Sequence, residues 1–309
     1  QRVNNLYLKG HRDFLGFYVP IYFKEEDKNM TIFPCAKINL GLNIVSKRPD
    51  GYHNLETVFY PIPLHDALEV HTIDNEFPTS FNCDLKVTGM SFNEDEQENL
   101  VVKAYKLLAN DFQLPRLHIH LHKEIPAQAG MGGGSSDAAF MLKLINDYCN
   151  LQLTSSQLEE YAVQLGADCP FFINCLPAYA EGIGEQLTPI PSLKEKLSQY
   201  YIVAVKPLIS ISTKGAFGMI TPQKPAINCR EIIEKPIKEW KELLINDFEA
   251  PIFKMNPELK DIKEQLYLNG AEYAAMSGSG STIFGLFSQE PTPNQLRLNI
   301  EAAIHCIKL

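Results

Sequence analysis

The chain has 309 residues, of which 45% are hydrophobic, and this length fits either two domains or one large one. The formal net charge of −9 argues against nucleic acid as the main partner, because nucleic-acid binding usually needs a basic face. No stretch reaches the roughly 18 apolar residues that a membrane-spanning helix needs. We therefore expect a globular protein that binds neither nucleic acid nor membrane.

The first segment in chain order is set apart from the rest. Residues 14–23 read FLGFYVPIYF and follow a few basic residues, which resembles the apolar part of a short signal segment. No small-residue cleavage site comes after it, only KEEDKN, and Met30 has the character of a natural start. We favour an N-terminal extension over residues 1–29, with the signal segment as the alternative.

The next part of the chain predicts strands followed by helices. Alternating polar and apolar residues predict a strand over 36–44, and a Pro-Asp-Gly turn follows it. Periodicity predicts further strands over 55–62, 67–73, 84–89 and 117–121. It also predicts helices over 100–111, 135–148 and 154–165, the last with Thr154 as its N-cap.

The second half of the chain predicts a separate group of elements. These are a linker with a short helical piece over 189–198, a buried strand over 201–205, helices near 232–245 and 258–269, a strand–glycine loop–strand over 272–287, and a partly helical tail. A domain boundary is expected near residues 190–200. This gives domains over 30–195 and 196–309.

Three histidines, His118, His120 and His122, recur at every second position of LHIHLHK. On a strand they share one face, which is compatible with a metal site. A solvent-facing edge strand is the better interpretation, because no acidic or cysteine ligand lies at a suitable spacing.

The seven cysteines include no C-x-x-C pair and no metal-ligand spacing with histidine. We expect them to be reduced, most of them as small buried hydrophobes. That usage predicts a cytoplasmic protein.

The most informative stretch is PAQAGMGGGSSDAAF, over 126–140. No Gly-Lys-Ser/Thr occurs, which excludes a Walker A loop, and Ser135 stands where a dinucleotide fingerprint needs its third glycine. A glycine loop that leads into a helix N-terminus nevertheless suits a phosphate, because backbone N–H groups and the helix dipole both favour an anion. From these residues alone, a phosphate site and a structural turn both remain open.

The same stretch resembles the second motif of the GHMP kinases, a superfamily named for galactokinase, homoserine, mevalonate and phosphomevalonate kinases. The GGGSS form is similar to a narrower branch that acts on a cytidine-diphosphate-linked methylerythritol. Further matching segments lie in the same order along the chain: PCAKINLGLNIVSKRPDGYHNLETVF (34–59), LGADCPFF (165–172), AEGIGEQLTPI (180–190), VKPLISISTKGAF (205–217) and MSGSGSTIFGLF (276–287). The resemblance spans Met30 to about Phe287.

The resemblance implies an α+β, two-domain GHMP kinase fold. Its N-terminal ATP-binding domain (30–195) is expected to be ribosomal-protein-S5-like, and its C-terminal domain (196–309) ferredoxin-like, with the active site between them. The implied activity is phosphorylation of a small-molecule alcohol, with ATP as donor and Mg²⁺ as the expected metal. The partner is a small cytidine diphosphate substrate, and the protein is expected to be a monomer or a weak homodimer.

The resemblance also assigns the catalytic pair. Asp168 matches the base, although in isolation it reads better as an N-cap or turn residue before Pro170. Lys37 matches the partner lysine, although a lysine in a strand is usually solvent-facing. A neighbouring cation would favour the ionised form of Asp168.

Binding residues follow from the same matches. The expected substrate residues are Asn39 on the strand face of Lys37, Tyr52 and His53 at the cytosine end, and Phe217 on the other side of that stack. The expected ATP residues are Pro126, Ala127, Gln128, Ala129, Gly130, Met131, Gly132, Gly133, Gly134, Ser135 and Ser136, with Asn99 and Lys123 near the adenine. Ser135 or Ser136 is the expected Mg²⁺ contact, and Gly278 and Gly280 are expected to let a third loop pack under the phosphate loop.

Three alternatives remain open. Another GHMP kinase, for homoserine or mevalonate, is disfavoured by the DGYH run together with GGGSS. A non-catalytic binding protein of this fold is disfavoured by the presence of Lys37 and Asp168, and an RNA-binding module is disfavoured by the acidic charge.

Overall fold

The structure, a computed structural model, describes residues 7–8, 22–24, 29–90, 95–291 and 301–309. These residues form fourteen strands: β1 (Tyr7–Leu8), β2 (Tyr22–Lys24), β3 (Asn29–Ile32), β4 (Cys35–Lys47), β5 (His53–His65), β6 (Ala67–Thr72), β7 (Cys83–Gly89), β8 (Leu117–Lys123), β9 (Ala178–Glu181), β10 (Gln186–Pro189), β11 (Tyr201–Pro207), β12 (Tyr273–Met276), β13 (Ile283–Phe287) and β14 (Ala302–Lys308).

Ten α-helices and one short 3₁₀ turn (Glu96–Glu98) complete the described residues. The helices are α1 (Leu100–Ala109), α2 (Gly133–Tyr148), α3 (Ser155–Leu165), α4 (Cys169–Asn174), α5 (Pro191–Leu197), α6 (Thr213–Phe217), α7 (Cys229–Ile233), α8 (Ile237–Leu243), α9 (Glu249–Met255) and α10 (Pro257–Leu268). No helix among the residues described above is both long enough and apolar enough to span a bilayer.

The chain divides into two compact units, and both are discontinuous in sequence. The first contains 1–35, 64–125 and 133–175, and the second contains 36–63, 126–132 and 176–309. The boundary predicted near residue 195 separates the N- and C-terminal domains of the family, which need not coincide with these compact units. That boundary stays a prediction. Of the predicted extension over 1–29, only β1, β2 and the first residue of β3 fall within the described residues.

The first unit is built on a six-stranded sheet with the order β1-β2-β3-β6-β8-β7. All neighbours are antiparallel except β7 and β8, which are parallel because α1 provides the crossover between them. Helix α2 packs against α1 and α4, and its residues from Ser136 to Leu142 are buried. This burial fixes the helix that follows the glycine loop.

The strand with the three histidines is not an edge, so that part of the prediction is wrong. β8 lies between β6 and β7, and Leu117, Ile119 and Leu121 on its other face are buried. Periodicity along one strand shows its two faces but not its neighbours, and β7 reaches β8 only through the crossover. His118 Nδ1 lies 2.5 Å from Asp84 Oδ2 of β7. No metal-binding cluster of histidine, cysteine or carboxylate side chains occurs in the described ranges.

The second unit contains two four-stranded sheets, with the orders β10-β9-β5-β4 and β12-β13-β11-β14. Ten residues of β4, from Cys35 to Ile44, are buried in succession, which exceeds the half-buried strand predicted there. The core that holds α9 and α10 against the second sheet includes Val203, Phe248, Leu259, Ile262 and Ile283. Burial of these aliphatic and aromatic side chains is the main stabilising term for the unit.

Several element boundaries differ from prediction. α2 begins at Gly133, two residues early, and α5 covers most of the expected linker. The predicted helix over 232–245 is two helices, α7 and α8, because Pro236 lacks the N–H that would continue the first. In the tail, residues 301–309 carry the strand β14 rather than a helix, and 292–300 lie outside the described residues.

Not all cysteines are reduced, contrary to prediction. Cys35 and Cys175 form a disulfide within the first unit, joining the start of β4 to the residue after α4. The two residues are 140 positions apart, so no local spacing announces the pair. Cys83, Cys169 and Cys229 are buried thiols, as expected.

Candidate active site

The glycine loop over 126–132 has a backbone that suits an anion. Gln128, Gly130 and Gly132 have φ angles of 49°, 72° and 71°, so every second residue is left-handed. This alternation is characteristic of loops whose successive N–H groups converge on a phosphate. Gly130 is required for a second reason, since a Cβ there would collide with the carbonyl oxygen of Ser277.

The carbonyl groups of this loop are turned toward the protein. The oxygens of Ala129, Gly130 and Met131 accept hydrogen bonds from Thr282 N (3.2 Å), Ser277 Oγ (2.8 Å) and Lys37 N (2.9 Å). None of the N–H groups of residues 129–132 donates to a described backbone carbonyl. The loop is therefore held by its acceptors, and its donors remain for a ligand.

The loop leads directly into the first turn of α2. Ser135 is half-buried, and its hydroxyl lies beside the thiol of Cys169, the residue after Asp168. Burial raises the pKa of that thiol to about 12, so Cys169 stays protonated. Ser136 is fully buried, and its Oγ has no hydrogen-bond partner. The accessible hydroxyl at this helix start is thus that of Ser135.

Lys37 is buried inside β4 rather than solvent-facing. Its Nζ donates to Asn39 Oδ1 at 2.6 Å and lies 5.0 Å from the ring centroid of Phe59. Asn39 is fixed in turn, because its Nδ2 donates to Thr57 Oγ1 at 3.0 Å and its backbone N–H to Ser277 Oγ at 3.3 Å. Lys37 and Asn39 therefore form one preorganised polar pair, as their spacing on the strand predicted.

Asp168 lies at the N-cap position of α4, but its side chain makes no capping hydrogen bond to that helix. The alternative role as a helix cap is therefore not supported. The residue is half-buried, and Pro170 stiffens the helix entry after it. Asp168 belongs to the first unit and Lys37 to the second, so their meeting in one site stays a prediction.

The predicted cytosine-binding residues come together in part. The rings of His53, at the start of β5, and Phe217, at the end of α6, stack with centroids 5.1 Å apart and an interplanar angle of 18°. Phe248 supports Phe217 with an edge contact at 5.0 Å. Tyr52 is 60% exposed on the Pro-Asp-Gly turn, so its ring is open to a ligand.

The two residues expected near the adenine have clear structural roles. Asn99 is the N-cap of α1, and its Oδ1 accepts from Val101 N at 2.9 Å. The Lys123 ammonium is buried between the carboxylates of Asp66 and Asp137, 2.6 Å from Asp137 Oδ2. Burial lowers the pKa of Lys123, but the two carboxylates outweigh it and the net shift is upward. Contact of either residue with ATP stays a prediction.

The third glycine loop lies against the phosphate loop within the second unit. Gly278 approaches Gly130 so closely that a Cβ would lie 3.2 Å from the Gly130 Cα. Gly280 has φ 91°, and a Cβ there would meet Met276 and Ile211. Sequence reasoning missed Ser277, whose hydroxyl joins the two loops, and Asn246, which holds the loop from behind. In the sequence, the only indication of Asn246 is the polar Asn-Asp-Phe-Glu run at 246–249.

Comparison with known proteins identifies the family. The families described as "GHMP kinases N terminal domain" and "GHMP kinases C terminal" match residues 99–175 and 229–305. A 4-diphosphocytidyl-2-C-methyl-D-erythritol kinase of Bacteroides fragilis is 53% identical over 274 residues, which cover 89% of this chain and 97% of that protein. The chain belongs to the 4-diphosphocytidyl-2-C-methyl-D-erythritol kinase family of the GHMP kinases. The resemblance drawn from the motifs is confirmed.

Solved structures agree with this family. A crystal structure of a 4-(cytidine 5'-diphospho)-2C-methyl-D-erythritol kinase has a TM-score of 0.73 and 30% identity, and the match covers 90% of this chain and 99% of that one. The mevalonate kinase of Methanococcus jannaschii, at 16% identity and a TM-score of 0.66 over 91% of this chain and 98% of that one, shares the fold. The predicted two-domain GHMP kinase fold is therefore confirmed.

Proposed function

We propose that this chain transfers the γ-phosphoryl group of ATP to the 2-hydroxyl of 4-diphosphocytidyl-2-C-methyl-D-erythritol, giving the 2-phosphate and ADP in non-mevalonate isoprenoid precursor biosynthesis. The chain is a small-molecule kinase. The observation that carries the substrate is the 53% identity to the Bacteroides fragilis enzyme over 97% of that protein. The glycine loop serves the ATP side of the reaction and does not by itself identify the acceptor.

The phosphate loop supplies the donor side of the reaction. With the carbonyls of residues 129–131 bound to protein, the N–H groups of the loop and of the α2 N-terminus are available to the phosphates of ATP. Preorganised donors of this kind stabilise charge on the transferring group without reorganisation. Anchoring by Lys37 N and Ser277 Oγ supports this role, since both fix the loop from behind.

Asp168 and Lys37 supply the acceptor side. The acceptor is a crowded tertiary alcohol, which attacks phosphorus poorly unless a base receives its proton. In the proposed step, the hydroxyl oxygen forms a bond to the γ-phosphorus, its proton passes to Asp168, and the bond to the β-phosphate oxygen breaks to release ADP. The Lys37 ammonium, oriented by Asn39, keeps Asp168 ionised and neutralises charge on the transferring group.

Mg²⁺ belongs to the proposal, and the residues present suit it. The ion prefers oxygen ligands and commonly takes few from the protein, keeping waters and substrate phosphates for the rest. Of the two candidate serines, Ser135 is half-buried with an accessible hydroxyl, whereas Ser136 Oγ is enclosed. Ser135 would hold the metal, which supplies charge neutralisation at the phosphates when bound.

Tyr52, His53 and Phe217 receive the cytosine ring in this proposal. The exposed Tyr52 ring supports it, because an open aromatic face binds a base by stacking, and the His53–Phe217 contact places the other two rings side by side. His53 already covers one face of Phe217, so Tyr52 is the better stacking partner and His53 the better hydrogen-bonding one. We further propose a cytoplasmic monomer or weak homodimer that needs neither nucleic acid nor membrane.

An ADP-release assay with three acceptors tests the proposed function. The purified chain, with ATP and Mg²⁺, is given the cytidyl substrate, homoserine or mevalonate at equal concentrations. We expect a kcat/KM for the cytidyl substrate at least about 100-fold above the other two, since homoserine and mevalonate lack the cytidine diphosphate part that the proposed aromatic residues bind. Preference for homoserine or mevalonate would overturn the assignment in favour of another GHMP kinase.

A further inference from the structure

Asn246 lies behind the third glycine loop and is almost fully enclosed, with 1% of its surface exposed. Its Nδ2 donates to two carbonyl oxygens of that loop, Met276 O at 2.7 Å and Gly278 O at 2.8 Å. Its Oδ1 accepts from Phe248 N at 3.0 Å. The side-chain amide thus makes three hydrogen bonds, and the carbonyls that it binds flank Ser277.

The backbone on either side of Asn246 is fixed to β4, the strand that carries Lys37 and Asn39. Leu42 N donates to Ile245 O at 2.9 Å, and Asp247 N donates to Leu42 O at 2.8 Å. The Asp247 carboxylate accepts from Ile44 N at 2.7 Å. Asn246 is therefore held rigidly on one side and holds the glycine loop on the other.

Ser277 connects the third glycine loop to residues proposed to bind ATP and substrate. Its Oγ donates to Gly130 O at 2.8 Å in the phosphate loop and accepts from Asn39 N at 3.3 Å. Ser277 N also donates to Thr282 O at 2.9 Å, which closes the loop on itself. A shift of the peptides on either side of Ser277 would therefore move the Gly130 carbonyl and the Asn39 backbone together.

We propose that Asn246 is a positioning residue for phosphoryl transfer: its buried amide fixes the third glycine loop so that Ser277 holds the phosphate loop and Asn39 in register. The inference rests on the proposed function for its kinetic readout. Asn246 is assigned no contact with ATP or the acceptor, and it acts chiefly through Ser277.

Asn246→Asp is the main test. It keeps the shape and the acceptor to Phe248 N, but it replaces the donor with a carboxylate oxygen facing two carbonyl oxygens. We expect KM for ATP to rise and kcat/KM for ATP to fall by about 10- to 100-fold, since two buried hydrogen bonds are lost. KM for the cytidyl substrate should rise less than KM for ATP, because Asn39 is one contact among several to that substrate and its cytosine end binds elsewhere. If the aspartate variant precipitates, Asn246→Ser replaces it, since serine is smaller and uncharged. The same rise in KM for ATP is expected.

Asn269→Asp is the matched control, since Asn269 Nδ2 also donates to a backbone carbonyl, Gln265 O at 2.8 Å, at the end of α10. It should keep wild-type kinetics. A double-mutant cycle with Ser277→Ala adds a readout that a general packing role would not move. If Asn246 acts through Ser277, the double variant should be no worse than the worse single one, whereas independent effects would multiply.

Two results would overturn the inference. One is an Asn246→Asp enzyme with wild-type kcat and KM for ATP, and the other is multiplicative loss in the double variant. Affinity for a fluorescent ATP analogue, measured on the same proteins without acceptor, separates this inference from the proposed function. If the wild-type chain fails to phosphorylate the cytidyl substrate, the proposed function falls, yet weaker analogue binding by Asn246→Asp would still support the positioning role.

Discussion

At the scale of single residues, burial gives the site its chemistry. Lys37 is 3% exposed and Asn39 2% exposed, so water competes little for their mutual hydrogen bond. Polar groups so deeply buried are costly unless every one finds a partner, and the chain Lys37–Asn39–Thr57–Gly41 supplies those partners. A strand that periodicity describes as half-buried thus carries a rigid polar core.

Asp168→Asn tests the base assignment at this scale. The amide cannot accept the proton, so kcat should fall by about 10²- to 10⁴-fold. Affinity for an ATP analogue should be retained, because Asp168 makes no contact with the phosphates in this account. Single-turnover kinetics with the cytidyl substrate measure the effect. Asp111→Asn, which alters an exposed carboxylate bonded to the hydroxyl of Tyr161, is the control. Turnover of Asp168→Asn near the control value would remove Asp168 from the reaction.

Phe217→Ala tests the cytosine site. Loss of one stacking face should raise KM for the cytidyl substrate by about 5- to 150-fold and leave KM for ATP unchanged. Phe253→Ala is the matched control, because Phe253 is also partly buried against the same core cluster. Initial rates over a range of both substrates give the two constants. An unchanged acceptor KM for Phe217→Ala would place the cytosine ring elsewhere.

At the scale of elements, residue patterns correctly predicted features that a single segment determines, such as a helix cap. Thr154 caps α3 with the reciprocal bonds of a capping box to Gln157, as its position before the helix indicated. Glycine usually disfavours a helix, so the pattern predicts a start at Ser135, whereas α2 begins at Gly133, where a side chain would strike Ile125 at 2.9 Å. Contacts from outside the element set that boundary.

The pairing of β6 with β8 predicts a pH effect on the stability of the first unit. Burial lowers the pKa of His71, and the neighbouring His118 ring, 5.0 Å away, lowers it further. The folded protein then binds fewer protons than the unfolded chain. Stability from this group is therefore complete above the unfolded pKa of 6.5 and is lost as pH falls below it.

Thermal unfolding between pH 7.5 and 5.5 measures this effect. The melting temperature should fall on acidification, and His71→Gln should make the fall shallower. His122→Gln, on the same sheet face but 44% exposed at its side chain, serves as the control. If the melting temperatures of wild type and His71→Gln fall equally with pH, protonation of His71 does not affect the stability of the first unit.

At the scale of the whole molecule, the sequence motifs predicted the family and fold. The glycine loops, DGYH and LGADCPFF are short contiguous stretches that can be recognised from their own residues. Long-range partnerships could not be read in the same way. The Asp66–Lys123–Asp137 cluster, the Cys35–Cys175 disulfide and the support of the third loop by Asn246 each join residues far apart in sequence. Nothing in the local pattern marks their partners.

Residues 1–29 precede every residue assigned to the proposed site. Within the described residues, β2 covers one side of β3, while β6 pairs with its other side. Deleting residues 1–29 should leave kcat and both KM values unchanged, because all proposed site residues begin at Lys37. The truncated and full chains are compared in the same ADP-release assay. Lost activity in a folded truncated protein would show that the segment contributes to the active enzyme.

The position of the new phosphate is the most direct test of the proposed phosphoryl transfer. The purified chain is incubated with ATP, Mg²⁺ and the cytidyl substrate, and the product is analysed by ³¹P and ¹³C NMR. We expect one new monoester phosphorus coupled to the tertiary carbon that bears the 2-hydroxyl, formed in step with ADP. A phosphate on another hydroxyl, or ADP release with no phosphorylated acceptor, would contradict it.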